Sequence, residues 1–153
     1  MALQEDVKQV MGSLLAVAQL VLKQQGALTP FGVAMTTDGE ILHLAGEDGI
    51  EPAEAIERLT AACSKSAKAG DYRATAIAYD VLITHPETGE ERDAVAVNFD
   101  HRENASVIYC LPYGIAGGEV ELEQPLTQQG EGRVFQTTAG GADGPGGGGI
   151  IQP

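Results

Sequence analysis

Tryptophan is absent from this chain, phenylalanine occurs three times and tyrosine four times. A core must therefore be built from aliphatic side chains and alanine. Basic residues are scarce too: nine Lys and Arg stand against 22 Asp and Glu, a net charge of −13. A surface of that sign repels nucleic acid and anionic lipid, so neither is expected as a partner. No apolar run approaches the roughly 20 residues that cross a bilayer. The apolar amino-terminal segment opens on Gln4-Glu5-Asp6 and is interrupted by Gln19, Lys23, Gln24 and Gln25. A secretory signal starts with basic residues instead, so a cytoplasmic location is expected. The two cysteines, Cys63 and Cys110, form no CxxC pair and read as reduced, buried thiols.

Motifs of chemistry are missing as well. His43, His85 and His101 stand at no ligand spacing, so neither metal nor cofactor is expected. No GxSxG nucleophile elbow occurs. The glycine-rich stretch 139–149 has no following Lys-Ser/Thr pair and no strand–loop–helix setting, which argues against a phosphate loop.

What the chain has is periodicity. Residues 73–83 and 93–100 alternate small and large side chains. Ala74, Ala76 and Ala78 fall on one side of the first stretch, and Ile77, Tyr79, Val81 and Ile83 on the other. Ala94 and Ala96 oppose Val95, Val97 and Phe99 in the second. Such alternation marks strands. If the alanine faces of both look the same way, helices can approach closely there.

Residues 3–25 carry Val7, Val10, Met11, Leu14, Val17, Ala18 and Val21 at helical spacing, and Gly26 suits the end of that helix. Residues 31–36 and 40–45 read as strands joined by the tight-turn signal Asp38-Gly39. A second helix is expected over 52–69, with Pro52 in its first turn and Lys65 and Lys68 in its last. Strands follow over 71–84, 92–101 and 105–112, the last ended by Pro112, with a short one at 119–122. The expected fold is α+β in the order αββαβββ. Its form is two-layered: an antiparallel sheet of about five strands with both helices on one face. Residues 1–124 form the domain and 125–153 a flexible glycine-rich tail.

This element order, over about residues 3–112, is similar to that of roadblock and profilin-like modules, a resemblance that implies scaffolding and dimerisation. The segments Pro30-Phe31-Gly32-Val33-Ala34, Asp38-Gly39-Glu40, Ala76-Ile77-Ala78-Tyr79-Asp80-Val81 and Asp93-Ala94-Val95-Ala96-Val97, with His101-Arg102 after them, resemble a family of small uncharacterised bacterial proteins. That resemblance implies a bacterial, cytosolic, single-domain protein and no mechanism. Small acidic α+β proteins of bacteria include immunity proteins, a likeness of class alone.

Residues 31–60 hold seven acids against one base. Asp38, Glu40, Glu47, Asp48, Glu51 and Glu54, with Tyr79, Phe99 and Tyr109 on a sheet face that is either open or covered by segment 113–135, make the expected partner surface. The leading expectation is a non-enzymatic protein-binding module, immunity- or adaptor-like, that meets a basic protein or a second copy of itself. The alternative is a small-ligand-binding protein or hydrolytic enzyme using carboxylates at the sheet. Asp80, Asp100 and His101 are its candidate site, because facing carboxylates would split their pKa values for acid–base work.

Overall fold

Residues 2–46, 49–103 and 105–135 are described by the structure, a computed structural model. Helix α1 (Ala2–Gln25) leads into a hairpin of β1 (Phe31–Thr36) and β2 (Ile41–Ala45). Gly26, at φ 76°, closes α1 with its N–H on the Leu22 carbonyl at 2.8 Å. Gly39 turns the hairpin at φ 92°, a left-handed backbone that glycine adopts without strain. Helix α2 (Pro52–Lys68) follows, then β3 (Tyr72–Thr84), β4 (Glu91–His101), β5 (Ala105–Ala116), β6 (Glu119–Leu122) and β7 (Leu126–Gln129). The protein is α+β, and among the described residues all strand pairs are antiparallel.

The sheet runs β2-β1-β3-β4-β5. β2 and β3 both oppose β1, which lies between them, so α2 carries the chain across a split β-α-β unit. The outer edge of β5 is shared: β7 pairs along 107–110 and β6 along 113–116. The strand therefore passes through Pro112 rather than ending there. The Pro112 carbonyl accepts the Glu123 N–H at 2.8 Å on that outer edge. The missing proline N–H faces the same way, into the gap between β7 and β6, where it costs no ladder bond.

The register decides the layers. Ala76 stands opposite Phe99 and Ala78 opposite Val97, while Tyr79 opposes Ala96 and Val81 opposes Ala94. Small side chains thus face large ones across the strands, which fills volume evenly on both sides. The alanines do not share a face as expected. Val10, Leu14, Ala18 and Leu22 of α1 pack on Val33, Ala74, Ala76, Ala78, Val95, Val97, Phe99 and Leu111. Leu59 and Cys63 of α2 pack on Ile77, Tyr79, Val81, Ile83, Ala94, Ala96 and Cys110. Among the described residues the helices therefore lie on opposite faces, in three layers rather than two, with β6 and β7 added at the β5 edge of a five-stranded path.

Two further expectations change with this. Phe99 lies under α1 and Tyr79 under α2, and Tyr109 meets Phe99 edge-on at 6.5 Å. Among the described residues these three rings do not form the expected open face. The folded body also passes residue 124: β7 is part of the sheet and Val134 is 1% exposed among the α2-side core residues. Residues 136–153, which include the glycine-rich stretch, lie outside the described residues. Among the described residues no helix is long and apolar enough to cross a membrane.

Candidate functional site

On the α2 side the face of β3–β5 is not filled completely. A cleft of about 260 Å³ remains between α2, the sheet and residues 130–134, which strap back over the sheet after β7. Two cross-strand rows form its floor. One is Asp100 and Ser106, with the fully buried Thr75 beside Asp100; the next is Ile77, Asn98 and Ile108. Ile56, Glu57 and Thr60 of α2 form one wall, and Glu131, Arg133 and Val134 the other.

The strap is fixed at three points. Gly130 N–H donates to the Ser106 carbonyl at 2.9 Å and Gly132 N–H to Ser106 Oγ at 3.0 Å. A Cβ at Gly130 would stand 2.2 Å from Ser106 Oγ, so the close approach requires glycine. Arg133 then forks onto Glu57 of α2, at 2.7 and 3.1 Å. That bond holds the Glu57 carboxyl below the usual range and raises Arg133. Tyr79 donates its hydroxyl to Asn98 Oδ1 at 2.9 Å on the floor.

Asp100 is the unusual member. It is 6% exposed, lines the cleft, and its Oδ1 has no hydrogen-bond partner among the described residues. Burial pushes its carboxyl above the ordinary range, and the Ser106 hydroxyl and Arg133 offset this only in part, with Glu131 adding to the rise. Its cross-strand neighbour Thr75 is fully buried, and its hydroxyl is likewise without a partner. Buried polar groups are nearly always hydrogen-bonded, so two adjacent orphans need an explanation.

A buried carboxylate with one oxygen unpartnered burdens the fold. Asp100→Asn should therefore leave stability unchanged or raise it at neutral pH. The sign follows from linkage: a carboxyl whose pKa is raised by folding opposes folding above that pKa, and the penalty fades as pH falls toward the unfolded value of about 3.9. Denaturant unfolding of both proteins from pH 7 to 4 should show the advantage shrinking toward acid. A variant less stable at pH 7 would mean that Asp100 is satisfied in the native state.

The three residues expected to form one site are not together. Asp80 is cross-strand to Val95 and Asp100 to Thr75, so the carboxylates point to opposite faces. On the α1 side Asp80 Oδ2 accepts the Leu28 N–H at 3.0 Å, and Tyr113 donates its hydroxyl to both oxygens at 3.0 and 3.1 Å. Burial raises the Asp80 carboxyl and these bonds lower it; they pin the segment before β1 to β5. His101, 1% exposed, meets Asp6 on that same side. Cys63 and Cys110 are buried and unpaired, their thiols pushed up to about 12 and about 11 by burial. Neither is a thiolate at neutral pH.

The acidic surface residues also divide. Asp38 and Glu40 are exposed at the β1–β2 turn, and Glu51 and Glu54 at the start of α2, where Glu54 pairs with Arg58 at 2.5 Å. β2 runs between the two groups and separates them by about 15–20 Å at its rise per residue. Glu47 and Asp48 lie outside the described residues. Among the described residues no three His, Cys, Asp or Glu side chains converge as a metal site.

Asp100 and Tyr79 were legible as candidates; Thr75, Asn98, Ser106 and Arg133 were not. Arg133-Val134-Phe135 is a basic and apolar run within a polar, glycine-rich region, and that run was the available signal that the chain returns to the core. Comparison of the chain with protein-family models, with curated proteins and with solved structures gives no match.

Proposed function

We propose that this chain is a non-enzymatic binding protein whose ligand is a small molecule seated in the cleft between α2 and the sheet. The observation that carries this reading is the buried, unpartnered Asp100 oxygen on the cleft floor. The lining supplies the two parts of a recognition site: an apolar wall of Ile56, Ile77, Ile108 and Val134, and a few placed polar groups. Lysine and cysteine are missing from that described lining, which disfavours Schiff-base or thiol chemistry there.

Docking of a protein partner is less well supported. Both sheet faces carry a helix, and Asp38 and Glu40 are separated from Glu51 and Glu54 by more than the screening length of about 8 Å at physiological salt. Each group would act on a basic partner by itself, with the modest energy of exposed charge pairs.

A fragment screen by protein-observed NMR tests the reading. Binders should shift amide signals of Thr60, Asn98, Asp100 and Ser106 saturably. A ligand at a hundred times its Kd would add about 2.7 kcal/mol to stability. Ile108→Trp, which puts an indole into the cleft, should abolish these shifts while the protein stays folded. Shifts that survive in the variant would place the ligand elsewhere and refute the proposal.

A further inference from the structure

We infer that the cleft takes a compact organic cation: a primary ammonium group hydrogen-bonded to Asp100, with a short apolar body against Ile77, Ile108 and Val134. This inference rests on the reading of the cleft as a ligand site and names the chemistry of what fills it.

The charges around the cleft give the sign. Asp100, Glu57 and Glu131 are acidic, and Arg133 is the basic residue of the lining. Its guanidinium grips the Glu57 carboxylate through two hydrogen bonds and its charge also reaches Asp100 and Glu131, so one base stands against three acids. Asp100 and Glu131 are left on the negative side, within a chain of net charge −13. An anion entering the cleft would meet both carboxylates. A neutral alcohol could donate to Asp100, yet it would leave the buried charge uncompensated. An ammonium does both: it donates to the oxygen that has no partner and neutralises a carboxylate that burial disfavours.

Geometry sets the rest. Asp100 is nine-tenths buried and its Oδ1 is fully buried. Rotation about its terminal torsion, which is soft for aspartate, turns either oxygen toward the cleft. A bare metal ion would need several converging ligands, and among the described residues none converge. The volume of about 260 Å³ lies just below the range of pockets for drug-sized ligands, so the body of the ligand must be short. Its apolar part meets the row Ile77 and Ile108 from the sheet and Val134 from the strap.

The experiment is calorimetric titration of the full chain with three probes of matched shape: phenethylammonium, 2-phenylethanol and 3-phenylpropanoate. The expected result is saturable binding of phenethylammonium, at least about tenfold tighter than the alcohol, with the carboxylate weakest. In Asp100→Asn the ammonium should lose at least about tenfold in affinity, and the alcohol should change little. Asp100→Asn removes a buried charge and is expected to fold; the comparison of probes on the unaltered protein needs no variant at all. Equal or tighter binding of the alcohol or the carboxylate overturns the ammonium assignment but leaves the cleft a ligand site. Full-strength ammonium binding by Asp100→Asn also overturns it. Failure of all three probes, together with an empty fragment screen, overturns the cleft as a binding site altogether.

Discussion

Phe99→Ala should cost about 3–5 kcal/mol, the usual range for truncating a buried aromatic side chain. Phe99 is 1% exposed and fills the space over Ala76, its cross-strand partner, beneath α1. Alanine beside alanine would leave a void that α1 cannot close without losing its contacts with Ala74 and Ala78. The melting temperature should fall by about 10 °C or more. Leu82→Ala, on an exposed side chain of the neighbouring strand, should stay within about 0.5 kcal/mol. The same variant tests the layering. Leu59 of α2 is buried on the other side of the sheet. The double variant Phe99→Ala with Leu59→Ala should equal the sum of the singles within about 0.5 kcal/mol, as separate sites do. Strong coupling, or a Phe99→Ala cost below about 1 kcal/mol, would contradict two cores divided by one sheet.

That division explains what the sequence could and could not tell. Strand and helix positions follow from local rules: spacing of three and four in α1, alternation in β3 and β4, Asp38-Gly39 at the turn. Each depends on neighbours in the chain. The register between β3 and β4 does not. Alanine-to-alanine and alanine-to-large pairings differ by one residue of slip, and one residue flips every side chain to the other face. The pattern of Ala74, Ala76 and Ala78 against Ala94 and Ala96 is compatible with both. The turn over 85–90 selects between them, where His85 N–H bonds the Glu90 carbonyl at 2.9 Å and Gly89 adopts φ 73°. The pairing of Asp80 with Asp100 failed for the same reason, since it needed the other register.

The cleft was half legible. Asp100 and Tyr79 stand out because a charge and a hydroxyl are costly on an interior strand. The rest of the site comes from distant sequence. Ser106 enters by pairing with Asp100, and Arg133 by reaching Glu57, 76 residues earlier in the chain. Glycine at 130 and 132 reads locally as flexibility. In the structure the first permits contact with Ser106 and the second donates a hydrogen bond to it. Composition shows how easily a segment orders by itself, not what a partner surface does to it.

Asp6→Ala should destabilise the protein by about 3 kcal/mol, the lower part of the range for breaking a buried ion pair. Asp6 is 2% exposed in the first turns of α1. Its Oδ1 accepts from Arg73 of β3 at 2.8 Å, and its Oδ2 from Arg73 Nε at 3.1 Å and His101 Nε2 of β4 at 2.8 Å. Glu103 N–H donates to His101 Nδ1 at 3.1 Å, which leaves Nε2 to carry the proton toward Asp6. One carboxylate thus ties α1 to the two central strands. Removal leaves His101 buried with an unused donor. Arg73 is partly exposed and still bonds the Thr37 carbonyl at 3.2 Å, which keeps the cost at the low end. Burial by itself would raise the Asp6 carboxyl, but the bonds from Arg73 and His101 and the charge of Arg73 outweigh it and hold the group below its ordinary value. A carboxyl depressed by folding stabilises fully above the unfolded value, about 3.9, and loses that contribution as pH falls through the folded one. The gap between unaltered protein and Asp6→Ala, measured by urea unfolding, should therefore hold from pH 7 to about 5 and narrow below 4. A gap that stays constant through the acid range would show that Asp6 acts by packing rather than by charge.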